Sequence, residues 1–324
     1  METNGTDMYA MGPVVHAFMV ATIPLCFVSL LIHCYIIFSV IFNRTLHSAS
    51  NYLLANLCAS VVFSNSVSIV TMCLLLHPVA LVNITLLQTL NIFCIPIVFV
   101  TVFFMSSSAV VAGDRFVKVA HPLRYLGFMT DKTCGCLIGS CWVLSVIVCS
   151  CFAAVFVTSE VRTYVPYGTA AYFEATRLNP PYRIFAIFIS VIIVLGLLII
   201  DGFVLGLLRI AREQRRKIQN ELNMLPNIGA NRVRQLGEGS NKTIRYILYL
   251  GSYTLAWLPC AIILNALFFS RQIDFGTSTD ISMGFILVSL FQLMYGTLFL
   301  TFMQEEHRKA LQSTWQALVQ KLKC

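Results

Sequence analysis

Seven stretches of this chain are long and apolar enough to cross a lipid bilayer, and that feature leaves few folds open: residues 15–42, 52–76, 87–112, 134–158, 184–208, 247–269 and 281–303. A membrane helix needs about 20 residues, at 1.5 Å each, to cross roughly 30 Å of hydrocarbon. Six of the seven contain no Asp, Glu, Lys or Arg, and the fifth contains only Asp201. A membrane barrel would instead show alternating segments of about 10 residues. The expectation is an all-α membrane protein, a seven-transmembrane helix bundle.

Composition agrees. Of 324 residues, 58% are hydrophobic and only 11% charged, with a mean hydropathy of +0.80, against a usual charged share of roughly 25%. Length alone would allow about two soluble domains, but so few charges cannot cover a water-facing surface. Disordered chains are poor in apolar residues and rich in charge, the reverse of this one.

The formal net charge of +8 is placed by topology. With the N-terminus outside, 18 of the 22 Lys and Arg fall on inner loops and the tail. Only Arg162, Arg177, Arg183 and Arg271 remain outside. Basic residues mark the cytoplasmic side and meet its anionic lipid, so no nucleic-acid partner is needed. The N-terminal tail, 1–14, has no basic n-region, and the first apolar run is too long for a cleaved signal. It is expected to act as a retained signal anchor. Glycosylation sequons at Asn4 and Asn83 fall on the predicted outside, whereas those at Asn43 and Asn241 fall inside and should stay unmodified. Most of the twelve cysteines lie within spans, where cysteine behaves as a small apolar residue. No metal or cofactor is expected.

The junction after the third span reads Gly113-Asp114-Arg115-Phe116-Val117, followed by His121-Pro122-Leu123-Arg124-Tyr125. The first stretch resembles the D-R-Y motif of rhodopsin-like G-protein-coupled receptors, with Phe in place of Tyr. The second is similar to odorant receptors and some orphan receptors of that family. Asn51-Tyr52-Leu53-Leu54-Ala55-Asn56-Leu57 opens span two as in family members, and Trp142 stands where span four usually carries tryptophan. Ala256-Trp257-Leu258-Pro259 resembles the C-W-x-P of span six. Residues 304–324 follow span seven, with Leu311, Trp315, Leu318, Val319 and Leu322 at helical spacing. They resemble the family's short amphipathic interfacial helix, and Cys324 is a candidate for palmitoylation. The receptor domain would then be 15–303.

The departures from the family are specific. Span seven has Gly296, Thr297, Leu298, Phe299 and Leu300 where N-P-x-x-Y is usual. The span-two aspartate falls on Val61 and the span-one asparagine on His33. Residues 159–183 contain no cysteine for the usual disulfide, which leaves Cys73 and Cys94 as a possible local pair, and span five lacks its proline.

The resemblance implies that Asp114 holds Arg115 at rest and releases it, with Phe116, toward a heterotrimeric G protein. Trp257 beside Pro259 would form a switch, because proline removes a backbone hydrogen bond and lets the helix kink. By carry-over, a small-molecule pocket is lined by Ile97, Val98, Thr101, Trp257, Cys260, Ala261, Leu264, Ile286 and Leu290. The amine-binding aspartate of many members falls on Ile97, so the expected ligand is apolar or weakly polar. Asp201, two turns before Arg209, is either an inner polar contact or a functional acid. His33, Asn65, Asn265 and Gln292 are expected to hydrogen-bond between helices.

Rival functions fare less well. Residues 281–303 contain no lysine for a retinal Schiff base. No inverted repeat suggests a transporter, and no G-x-G-D suggests an intramembrane protease. The expectation is therefore a non-enzymatic, multi-pass receptor of the cell membrane, of odorant or orphan type. Its rival is a receptor-shaped scaffold or chaperone partner that no longer signals.

Overall fold

The computed structural model describes residues 13–76, 94–158, 180–224, 247–248, 251–259 and 261–262. Helix α1 is Pro13–Phe42, followed by a 3-10 turn, Arg44–Leu46. Then come α2 (Ala49–Leu76), α3 (Cys94–Ala120), the short α4 (Pro122–Phe128), α5 (Asp131–Thr158) and α6 (Pro180–Met224). Helices α1, α2, α3, α5 and α6 carry the first five predicted spans. The described residues from 247 to 262 are helical and belong to the sixth.

Five of these helices are long and apolar enough to cross a membrane: Val20–Phe42, Ala49–Cys73, Ile95–Ala120, Asp131–Ala154 and Ile187–Glu213. Their two faces differ in burial rather than in polarity. On α1, Cys26, Ser29, His33, Ile36 and Val40 are buried, at spacings of three and four. Phe27, Leu31, Phe38 and Phe42 are exposed between them. An outward face that remains apolar belongs to a helix whose solvent is lipid.

Two boundaries depart from the expected spans. Span three was expected at 87–112, but its helix continues to Ala120. The apolar run stops at Gly113-Asp114-Arg115, whereas the helix does not, because Asp114 and Arg115 are buried within the bundle. Span five was expected to end near Leu208, but α6 continues to Met224. Its 45 residues would measure about 67 Å at the helical rise, more than twice the hydrocarbon thickness. The basic extension beyond Leu208 therefore projects past the membrane.

Because lipid tails are as apolar as the helices, polar groups and small residues set much of the packing. Trp142 Nε1 donates to Asn56 Oδ1 at 3.2 Å, and Asn56 Nδ2 donates to Ser107 Oγ at 2.9 Å, joining spans four, two and three. Asn65 Nδ2 donates to Ser29 Oγ at 2.9 Å, tying span two to span one, and His33 Nδ1 donates to Ser29 O at 2.7 Å. Asn43 accepts from Thr45 N and Oγ1 and caps the turn between spans one and two. Cys73 is an exposed free thiol.

Candidate functional site

The C-terminal end of span three, beside the basic loops, is built around one carboxylate. Pro122 disfavours helical backbone at His121, so α3 stops at Ala120 and the chain turns with His121 at φ −134° and ψ 63°. Pro122 then opens α4, where its missing N–H costs nothing. This turn brings Tyr125 back under span three, where it is buried, while Leu123 and Leu126 point away at 96% and 82% exposure.

Tyr125 OH donates to Asp114 Oδ1 at 2.6 Å, and Ser50 Oγ donates to Asp114 Oδ2 at 2.8 Å. The two hydroxyl oxygens lie 2.9 Å apart and close a triangle. Arg115 Nε stands 3.7 Å from Asp114 Oδ2, an ion pair beyond hydrogen-bonding distance. Both residues are almost fully buried, Asp114 at 1% exposure and Arg115 at 6%. Burial, reinforced by the bond to Asp114, pushes the Tyr125 phenol up to about 12. Lys118 Nζ lies 5.5 Å from the centre of the same ring.

Sequence reasoning singled out Asp114 and Arg115 but missed Ser50 and Tyr125 as partners. Tyr125 stood in plain view in the His-Pro-Leu-Arg-Tyr stretch, and the signal was a phenol one short turn beyond a helix-stopping proline. Phe116 does not join the triangle. Its ring packs on Phe203 of span five at 5.7 Å. That approach depends on Gly206, where an added Cβ would lie 2.6 Å from Phe116 Cε2.

Toward the N-terminal end of α3, Ile97, Thr101 and Phe104 occupy one stripe at i, i+4 and i+7. Phe104 packs on Trp257 at 5.8 Å and on Tyr253 at 5.5 Å, giving that stripe an aromatic base. Thr101 Oγ1 donates to Ile97 O at 2.8 Å, so the hydroxyl proton is used within its own helix. Val98 is fully buried between helices. Ala261 is buried, and its carbonyl accepts from Ser190 Oγ at 3.4 Å. Pro259 lies in the helical stretch 251–259. Cys260, Leu264, Ile286, Leu290, Asn4, Asn83 and Cys324 lie outside the described residues, as do 281–303 and 304–324. Asp201, the acid left open between contact and function, accepts from Thr254 Oγ1 at 2.6 Å, which joins spans five and six.

Residues 33–306 match the family described as 7 transmembrane receptor (rhodopsin family). The chain belongs to that family. This rhodopsin-family receptor is similar to melanocortin receptor 5 of Bos taurus, 26% identical over 72% of this chain and 63% of the relative. Melanocortin receptor 5 of Sus scrofa is 30% identical over 45% of this chain and 50% of that protein. The chain thus spans about half to two thirds of the length of these relatives. Olfactory receptor 1M1 of Mus musculus is 37% identical over 34% of each chain. Membership makes the protein a multi-pass membrane receptor with a seven-helix bundle.

Proposed function

We propose that this rhodopsin-family receptor binds a small apolar or weakly polar ligand from outside and activates a heterotrimeric G protein inside. The ligand lies between the outer halves of spans three, five, six and seven, over the Phe104–Trp257 base. Residues 1–14 form the extracellular tail, and 304–324 form the cytoplasmic interfacial helix. The similarity to olfactory receptors supports an odorant-like ligand, and the similarity to melanocortin receptors keeps a non-sensory role open.

The observation that carries the reading is the state of the Asp114–Arg115 pair. Both carboxylate oxygens of Asp114 are hydrogen-bonded by Ser50 and Tyr125. Arg115 Nε stands 3.7 Å from this already hydrogen-bonded carboxylate, an ion pair longer than a hydrogen bond. Parting of the helices would free a planar cation able to bond carbonyls of a partner. The neighbouring Leu123 and Leu126 offer that partner an exposed apolar contact.

Basal second-messenger signalling in cells tests this reading, with wild type and Arg115→Ala matched for surface level. The expected outcome is a basal signal that Arg115→Ala abolishes. The absence of any difference, both basally and across a panel of hydrophobic ligands, would leave the non-signalling scaffold as the better reading. The apolar Val61 in span two and the missing span-seven polar motif already favour that second reading.

A further inference from the structure

Asp201 is the one acid within the seven expected spans. Acids at that depth are costly, and those present face a partner or a cavity. Asp201 is half-buried, and its Oδ1 receives the Thr254 hydroxyl at 2.6 Å, a short charge-assisted bond between two helices. Thr254 is held in place by its neighbours, since Tyr253 and Trp257 both pack on Phe104 of span three. Pro259 lies just outward of this turn and interrupts the backbone ladder of span six. Beyond it, Ser190 Oγ reaches Ala261 O at 3.4 Å, a longer bond between neutral groups. Span six is thus fastened to span five on both sides of its proline, and the inner fastening is the stronger.

We propose that Asp201 is a positioning residue, a latch that holds the inner half of span six against span five until activation breaks its bond to Thr254. With the inner bond released and the outer one kept, Pro259 becomes the hinge about which the inner half swings. The proposal rests on the reading that signalling runs through the inner ends of the helices. Its test therefore needs a readout that does not depend on the G protein.

The full-length receptor in lipid nanodiscs would carry ketone-linked spin labels at positions 212 and 248, both exposed and on the inner parts of spans five and six. Double electron–electron resonance then reads the distance between the two helices. Thr254→Val, which removes only the hydroxyl, is expected to raise the ratio of separated to closed receptor about tenfold. That ratio is equivalent to about 1.4 kcal/mol, close to the lower limit for a hydrogen bond to a charged group. It should also raise basal second messenger. Thr254→Ser keeps the hydroxyl and should match wild type in both readouts. Asp201→Asn keeps an acceptor oxygen without the charge and should fall between.

An unchanged distance distribution in folded Thr254→Val would overturn the latch. So would Thr254→Ser separating as far as Thr254→Val, because packing rather than the bond would then set the distance. If Thr254→Val does not fold, Asp201→Asn and Thr254→Ser decide between the same alternatives: separation only in Asp201→Asn supports the latch, and identical distributions refute it. Helices that separate without any change in second messenger would leave the latch standing and remove the G-protein reading instead.

Discussion

Substituting Tyr125 by Phe removes one oxygen and leaves the ring under Lys118 in place, which isolates the hydrogen bond to Asp114. The acceptor is a carboxylate at 1% exposure, so water cannot readily replace the lost donor. Hydrogen bonds to charged groups contribute about 1.5–3 kcal/mol, and those between neutral groups about 1 kcal/mol. The 2.6 Å separation places this bond among the short charge-assisted ones. Ser50 still holds the second oxygen, which puts the expected cost near the middle of the charged range, about 2 kcal/mol. In the Asp114→Asn background the same substitution should cost only about 1 kcal/mol, leaving a coupling energy of about 1 kcal/mol. Equilibrium unfolding in SDS-containing mixed micelles, run on all four members of the cycle, measures both numbers. An equal cost in the two backgrounds would show that the phenol does not bond the carboxylate, and the account of how Asp114 is held would fail with it.

Three further outcomes follow from the same geometry. Tyr125 has its folded value raised from 10.0 to about 12, so its contribution to stability is complete below pH 10 and is lost as pH rises toward 12. Ultraviolet difference titration against Tyr125→Phe should show one phenol ionising after the exposed ones, and its absence would contradict the burial. Gly206→Ala places a methyl within 2.6 Å of the Phe116 ring and should cost about 1–3 kcal/mol by overpacking; the added substitution Phe116→Leu should recover part of that loss in the same unfolding assay. Leu123→Glu, at a 96% exposed position, should leave unfolding within about 0.5 kcal/mol of wild type while reducing ligand-driven signalling; full signalling would remove Leu123 from the partner surface.

Much of the architecture was legible because lipid imposes a length rule that sequence can meet or fail. Where a polar group is buried by a distant partner, the rule misleads. The third apolar run ends at Gly113, yet the helix goes on to Ala120 because Ser50, 64 residues away in sequence, and Tyr125 satisfy Asp114. Local periodicity holds no trace of Ser50 in that role, since it reads as an ordinary polar residue at the start of span two. The pair Asp114–Arg115 was legible from its motif, and the looseness of its 3.7 Å contact was not. Similarly, the lone acid at Asp201 was visible, but its partner Thr254 lies on another span among residues that look like plain apolar helix.

The placement of polar contacts divides the bundle by mechanical role. Spans one to four are stitched by Ser29–Asn65, by Trp142–Asn56–Ser107 and by Ser50–Asp114, so their relative positions are fixed by directional bonds. Among the described residues, that block also meets spans five and six by apolar packing: Met105 against Gly196, Phe116 against Phe203, and Phe104 against Tyr253 and Trp257. Packing without directional bonds can slide at modest cost, whereas a hydrogen bond in an apolar medium is kept or lost as a unit. Spans five and six are joined to each other by Asp201–Thr254 and Ser190–Ala261. A receptor whose usual span-two acid is Val61 therefore keeps its directional bonds at two places where motion would matter: beneath Arg115 and between spans five and six. Breaking the bond at Asp114 and breaking the bond at Asp201 should consequently have separable effects, the first on the stability of the four-span block and the second on the distance between the last two described spans.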